Sequence, residues 1–273
     1  MKFNYMRWPV FFLNLLIVLG VTAQSREKFS IGASVNPTAT YGINTSSSDA
    51  PIKSWTTLTY KQFADSVRSF ERVKFSLGAT VWGNYLLNAQ WSVQAGLGYS
   101  EVGFVREQNN IHLGDSMFPG VGRGVLEELS NTTKNIEYRF RYQYLTVPVL
   151  FNYYVKRSRD FKWTYSFTGG IAMNVLIKHQ IKAVLDNFYI DNLNEYKIDS
   201  TGYEGHRVTM NVFLGGKFEY KMKDGLSAFG QPMITIFPFS VSQTEMKCRP
   251  IGVQFNIGLS YDFTGGGGSG SDE

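Results

Sequence analysis

The chain has 273 residues, a formal charge of +5 and one cysteine, Cys248. A single thiol excludes a disulfide framework within the chain, so stability has to come from strand closure and packing. The mild positive balance speaks to solubility and nonspecific partners and says nothing of fold.

In chain order, the first segment reads as a leader. Lys2 and Arg7 supply the positive n-region, Trp8 to Leu19 is a short apolar run broken by Asn14, and Val21-Thr22-Ala23 offers a small-residue cleavage site. This pattern predicts a secretory signal peptide over 1–23. At the other end, Thr264 to Glu273 is a Gly/Ser-rich segment that reads as a linker or tag remnant. The interval 24–263 is then one domain of about 240 residues, a length a closed barrel can use as a single unit. Export makes nucleic acid an unsuitable partner and points to lipid headgroups, lipopolysaccharide included.

From Phe29 onward, the recurring feature is period-two alternation over about ten residues, which in a strand separates two faces. The first strand is predicted near Lys28–Asn36, with Phe29, Ile31, Ala33 and Val35 on one face and Ser30, Gly32 and Ser34 on the other. The second runs near Lys74–Leu87, with Phe75, Leu77, Val81 and Tyr85 outward and Thr80, Trp82 and Asn84 inward. The third, from Trp91 to Ser100, sets Trp91, Val93, Leu97 and Tyr99 against Ser92, Gln94, Gly96 and Gly98. The fourth spans about Glu137 to Val155, and its first half sets Tyr138, Phe140, Tyr142 and Tyr144 outward against Arg139, Arg141 and Gln143 inward. Both faces are apolar around Leu145–Phe151, where Pro148 cannot donate a ladder bond and a bulge could shift the phase.

The fifth strand, near Trp163–Lys178, places Trp163, Tyr165, Phe167, Ile171 and Val175 outward, with Thr164, Ser166, Asn174 and Lys178 inward. The sixth, near Arg207–Lys221, puts Lys217, Glu219 and Lys221 on the inward face. The seventh, near Leu226–Phe237, is interrupted by Pro232, which predicts a second bulge. The eighth is the cleanest: Ile251, Val253, Phe255, Ile257, Leu259, Tyr261 and Phe263 alternate with Gly252, Gln254, Asn256, Gly258, Ser260 and Asp262.

Tight connections alternate with long ones, such as Pro37 to Val73 and Glu101 to Ile136. Apolar-out and polar-in strands with alternating loop lengths predict an all-β fold, an eight-stranded antiparallel transmembrane β-barrel with long extracellular loops and both termini periplasmic. A soluble β-sandwich or lipocalin-like barrel is the alternative, but it has no need of aromatic outward faces. Tyr85, Trp91, Trp163, Tyr165, Tyr220, Tyr261 and Phe263 fall near the short-turn end and form a candidate aromatic girdle. The expected location is the bacterial outer membrane.

The block Tyr144-Leu-Thr-Val-Pro-Val-Leu-Phe-Asn-Tyr-Tyr154 resembles the fourth-strand motif of the Bacteroidota outer-membrane β-barrel family, the porin-family or PorT-like group. Phe167-Thr-Gly-Gly170, Gly215-Gly216 and Gly258-Leu-Ser-Tyr-Asp-Phe263 extend the likeness over nearly all of 29–263. The resemblance implies an OmpA-like barrel. It extends in function from envelope structure to a component linked to type IX secretion, and it carries no catalytic motif.

Three features are candidates for function. Arg139, Arg141, Lys178, Lys217, Glu219 and Asp262 are expected to form a lumenal polar network, either a paired core or a narrow anion path. In the first long loop, Tyr60, Phe63, Val67 and Phe70 make an apolar stripe on a short helix, with Thr59 and Gln62 as a capping box. That helix either caps its own barrel or docks a partner, and Trp55, Met117, Phe118, Val121, Val125 and Leu126 add apolar residues on the same side. His179, His206 and Asp186 could meet at the rim, but rim histidines are usually solvated, so no enzyme activity is expected. No cofactor is expected, and Asp186, Asp191, Asn192 and Asp199 lack the order of a calcium loop. Asp65-Ser66-Val67, Asp115-Ser116-Met117 and Asp199-Ser200-Thr201 resemble O-glycan acceptors of that phylum. The expected role is an accessory or structural subunit that binds other outer-membrane proteins in a secretion or barrel-assembly complex. A stand-alone narrow porin or OmpA-like envelope protein is the alternative.

Overall fold

The computed structural model describes residues 29–51, 59–112, 133–156, 162–185, 188–190, 205–222, 225–243 and 245–263. The leader, the tail, Trp55, the apolar residues at 117–126, the two downstream O-glycan motifs, Asp186, Asp191, Asn192 and Asp199 lie outside them. The described strands are β1 (Phe29–Thr45), β2 (Glu71–Arg72), β3 (Lys74–Leu86), β4 (Trp91–His112), β5 (Thr133–Lys156), β6 (Trp163–Leu185), β7 (Phe188–Ile190), β8 (Val208–Lys221), β9 (Leu226–Ile236) and β10 (Lys247–Asp262). One helix, α1 (Tyr60–Val67), stands between β1 and β2.

Every pairing is antiparallel. β1 pairs with β10, β10 with β9, β9 with β8, β8 with β6, β6 with β5, β5 with β4, β4 with β3 and β3 with β1. The sheet therefore closes into a ring, which removes the long free edges that invite aggregation. The two short strands are additions at the long-loop end: β2 lies on β4 and β7 on β6.

The ring's outer face is greasy. Val35, Val81, Leu97, Phe151, Phe167, Ile171, Leu214 and Ile257 all point outward and are exposed. Water would not tolerate so continuous an apolar surface, but a bilayer requires it. On β5 the band runs from Leu145 to Val155, which spans about 25 Å at ~3.3 Å per residue and ~40° tilt.

Above that band the chemistry of the two faces changes places while the strand keeps its phase. Tyr138, Phe140, Tyr142 and Tyr144 are buried inside the ring, on the same face as Thr146 and Asn152 lower down. Arg139, Arg141 and Gln143 share the outer face with Leu145 and Phe151. This corrects the expected placement of the fourth strand's first half. The apolar-out rule holds only where lipid is outside. Once β5 leaves the bilayer, its rings pack inward and its charges turn to solvent, as in a soluble protein.

The bulges are also elsewhere than expected. β5 alternates without interruption through Pro148, which pairs in register with Ala172. The register instead shifts where Gln143 faces Lys178 and Tyr144 faces Leu176, leaving Ile177 as the extra residue on β6. That bulge flips the phase of β6 and sends Lys178 to the exposed outer face. β9 has no bulge at Pro232. Its register with β8 is the same at Gly215–Met233 and at Phe218–Gly230, so the proline only forgoes a ladder bond.

The strands also outrun the bilayer. β4 reaches His112, β5 begins at Thr133 and β1 reaches Thr45, so parts of the expected loops are ladder. At the opposite end the connections are tight. Gly225 takes φ 79 in the β8–β9 turn, a left-handed conformation that glycine adopts without steric cost.

Candidate functional site

The lumen within the membrane band is a hydrogen-bonded solid. One belt runs strand to strand around the ring: Ser100 with Thr146 (2.6 Å), Thr146 to Asn174 (2.9 Å), Asn174 to Asn211 (2.9 Å) and Asn211 to Thr235 (2.8 Å). A lower belt links Asn152 to Ser92 (3.3 Å), Thr168 to Asn152 (2.7 Å), Gln231 to Thr168 (3.2 Å) and Asn256 to Gln231 (3.1 Å). Buried amides and hydroxyls are tolerated here because they satisfy one another. The lumenal space lined by the upper belt, with Asn256 alone from the lower one, measures about 40 Å³, room for no more than a few waters.

Nearer the tight turns, Lys217 and Glu219 form the charged part of this core. The Lys217 side chain is 3% exposed, its Nζ lies 3.0 Å from Glu219, and Ser260 donates to the same carboxylate at 3.0 Å. The ammonium sits 5.0 Å from the Trp82 ring and 4.7 Å from Phe229, and those rings meet edge-on at 5.5 Å. Trp82 fits because its partners on both neighbouring strands, Gly32 and Gly96, have no side chain. A Cβ on Gly32 would collide with the indole.

Of the six residues expected in a lumenal network, the structure brings Lys217 and Glu219 together inside. Arg139, Arg141 and Lys178 stand on the outer face, and Asp262 lies partly buried at the foot of β10.

The mouth is closed by an apolar plug. Phe104 and Phe140 stack at 4.3 Å, and Tyr138, Tyr142, Tyr144, Ile181, Met246 and Cys248 pack around them. Helix α1 lies on this cluster through Tyr60, Phe63 and Ala64. Its start is fixed by the capping box, with Gln62 N–H donating to Thr59 (3.3 Å) and Thr59 N–H donating to the Gln62 side chain (3.1 Å). Beneath it Arg106 pairs with Glu71 at 3.4 Å, its guanidinium 5.7 Å from Phe63 and 5.3 Å from Phe140. The stripe therefore divides: Tyr60 and Phe63 turn onto the helix's own barrel, while Phe70 is exposed. The side chain of Val67 lies outside the described set.

Around the mouth, on the outside, runs a charged collar. Arg141 pairs with Glu101 at 2.5 Å and Arg139 with Glu137, while Lys74, buried on the inward phase of β3, reaches the same Glu101 carboxylate. Sequence reasoning misses Glu101 and Arg106 because the region beyond Ser100 reads as loop, Glu71 because Pro37 to Val73 does, and Lys74 because its partner Glu101 lies in the expected loop. The available signal is that Glu101, Val105 and Glu107 continue the outward phase of Leu97 and Tyr99.

The girdle residues gather at the tight-turn end. Trp91 meets Tyr153 at 4.9 Å, Trp163 meets Tyr220 at 4.9 Å, Tyr165 meets Phe218 at 5.5 Å and Tyr261 meets Phe263 at 5.2 Å. Tyr85 faces Phe29 across β3 and β1. At the other end His179 stacks on Tyr142 at 4.8 Å, and the His206 backbone N–H donates to Val241 at 2.7 Å. Burial and the nearby Lys247 ammonium hold the His206 imidazole below its ordinary pKa. Among the described residues, no three His, Cys, Asp or Glu side chains group to hold a metal ion.

Several solved outer-membrane proteins are similar to this chain. It is similar to Ail, the attachment invasion locus protein of Yersinia pestis, at 8% identity over 84% of this chain and 98% of that one, with a TM-score of 0.32. The outer membrane protein OprG of Pseudomonas aeruginosa shares 11% identity over 86% and 96% of the two chains, with a TM-score of 0.38. A major outer membrane protein of Thermus thermophilus shares 10% over 84% and 98%, with a TM-score of 0.36. No curated protein sequence matches the chain. The profile of the family described as outer membrane protein beta-barrel domain matches residues 22–266, so the chain belongs to that family and its setting is the bacterial outer membrane.

Proposed function

We propose that this is a non-enzymatic barrel with a sealed lumen that works through its exterior, as an accessory or structural subunit docked to another outer-membrane protein. In this reading the eight long strands form the transmembrane wall. The tight turns and both termini lie in the periplasm, and α1 and the long connections face outward. The observation that carries it is the filled interior: the space beside the upper polar belt is about 40 Å³, the lower belt is hydrogen-bonded across the lumen, and the mouth above them is plugged by the aromatic cluster under α1. A lumen so occupied offers no route for a solute, which leaves the wall and the loops as working surfaces. The wall has a feature suited to docking, an apolar groove of about 950 Å³ over β1 and β3 where Ala33, Gly83 and Ala95 leave space between Ile31, Val81 and Leu259. The likeness of Tyr144–Tyr154 to Bacteroidota barrels favours a secretion complex, such as type IX, or a barrel-assembly complex as the setting.

The test is a mild-detergent pull-down from native membranes, paired with planar-bilayer recording of the purified barrel. Stoichiometric recovery of a larger outer-membrane protein with no conductance is the expected result. A barrel recovered alone and conducting would be a narrow porin, and one recovered alone and silent would be a stand-alone envelope protein.

A further inference from the structure

The carboxyl that anchors helix α1 is hydrogen-bonded on one side only. Glu71 follows the helix through the short turn Arg68–Phe70 and is the residue at which this stretch rejoins the ladder, opposite Arg106. Its side chain is fully buried. Both donors that reach it arrive at Oε1: the Asn44 side-chain amide N–H from β1 and, at 3.4 Å, a guanidinium N–H of Arg106. Among the described residues nothing donates to Oε2, and the amide oxygen of Asn44, itself buried, has no donor either.

Glu101, in the collar, has the pattern of an ionised carboxylate. Arg141 donates to both of its oxygens, at 3.2 and 2.5 Å, and Gln143 adds a further bond at 3.2 Å. A buried carboxylate oxygen left without a donor is costly. A protonated carboxyl has the pattern of Glu71 instead: its carbonyl oxygen accepts, and its hydroxyl donates. One proton on Oε2 satisfies two orphaned atoms, because the Asn44 amide oxygen accepts it while the Asn44 N–H holds Oε1. A metal ion would suit the same two oxygens but would stand beside the Arg106 cation. That guanidinium keeps an aromatic setting when Glu71 is neutral, with Phe63 at 5.7 Å, Phe104 at 5.9 Å and Phe140 at 5.3 Å.

We propose that Glu71 is protonated when α1 is seated, that it shares the proton with Asn44, and that this proton latches the helix over the mouth. The charged and titratable groups facing Glu71 are Arg106 on β4, Arg68 in the turn after α1, Tyr41 on β1 and Cys248 on β10. The phenol and the thiol are neutral from acidic to neutral pH. Burial acts most strongly on Glu71 and holds its pKa above the ordinary carboxyl value, against the pull of Arg106, Asn44 and Arg68. The seated state therefore binds the proton more tightly than the lifted one. The latch is complete below the ordinary carboxyl pKa and is lost as pH rises through the higher seated value. Rising pH thus loosens α1 and uncovers Phe63, Phe104 and Phe140, while the polar belts below stay closed.

Hydrogen exchange of the 59–71 segment in the full, detergent-solubilised chain tests this, read by mass spectrometry and corrected for the intrinsic pH dependence of exchange. Protection should fall about tenfold between about pH 5 and about pH 8. Glu71→Gln puts an amide N–H where the carboxyl O–H stands and should keep the segment protected and level over the same interval. His206 also stands at the mouth, so His206→Gln is the control and should leave the fall in place. Heat-modified gel migration reports that each variant still folds. A level wild-type profile overturns the proposal, and so does protection that rises with pH, which would mark Glu71 as the ionised partner of Arg106. A fall that survives Glu71→Gln assigns the titration to another group and overturns it as well. The wild-type profile fixes the direction without any variant, and no partner protein enters the measurement, so its failure is separable from failure of the docking reading.

Discussion

The barrel consists of two stacked regions built on opposite rules. Within the bilayer the wall is apolar and the interior polar: Ile171 and Phe167 face lipid, while Asn174, Thr168 and Lys217 face the lumen. Above it the wall is charged and the interior aromatic: Arg139 and Arg141 face outward, while Phe140 and Tyr142 are buried. The same strands, in the same phase, build both. Side-chain direction is fixed by backbone geometry, but which direction is favourable for a given residue depends on the solvent outside the wall.

The contrast can be broken most severely at the two cores. Lys217→Met removes the buried ammonium beside Glu219 and should cost about 3–5 kcal/mol. The double variant Lys217→Met/Glu219→Leu should recover most of that loss in urea unfolding of the detergent-solubilised barrel. In the upper core Phe140→Ala opens a cavity between Phe104 and Arg106 and should cost a similar ~3–5 kcal/mol by the same assay.

The outer face sharpens the comparison. Ile171→Arg places a charge near the middle of the apolar band and should cost about 2–4 kcal/mol in vesicles. Lys178→Ile, on the outer face of the same strand but above the band, should stay within ~0.5 kcal/mol. Equal effects at the two sites would remove the boundary between the regions.

The smallest effects are expected around the plug. Thr59→Ala deletes one half of the capping box on α1 and should lower stability by about 1 kcal/mol, most readily seen as faster proteolysis after Lys61. The depressed His206 pKa means the unfolded chain binds its proton more readily. Its contribution is therefore complete above the ordinary imidazole pKa and is lost as pH falls through the lower folded value. His206→Gln should flatten a slight decline in thermal stability between neutral and acidic pH.

The lower region was legible in the sequence because it obeys a single rule. The alternation of β10 from Ile251 to Phe263, and of β4 from Trp91 to Ser100, defines face and register without outside information. The upper region was not, because Tyr138–Tyr144 obeys the reverse rule and nothing local in the sequence marks where the bilayer ends. The sequence pattern misplaces Lys178 for a different reason. One extra residue, Ile177, reverses every later side chain on β6, and its opposite strand carries no matching irregularity. The plug was half legible: the capping box of α1 could be read directly, but whether Phe63 faced its own barrel or a partner depended on Phe104, Phe140 and Arg106, which come from strands far along the chain.

The reversal between Tyr144 and Leu145 also acts as a depth stop. Were the barrel to sink, Gln143 and then the Arg141 guanidinium would enter hydrocarbon; were it to rise by one residue pair, Leu145 would meet water. Either displacement is opposed by a different side chain, so a single boundary in β5 holds the molecule at one height. A neighbouring protein, lipid or docked subunit then finds its contact surface at a set distance from the membrane plane.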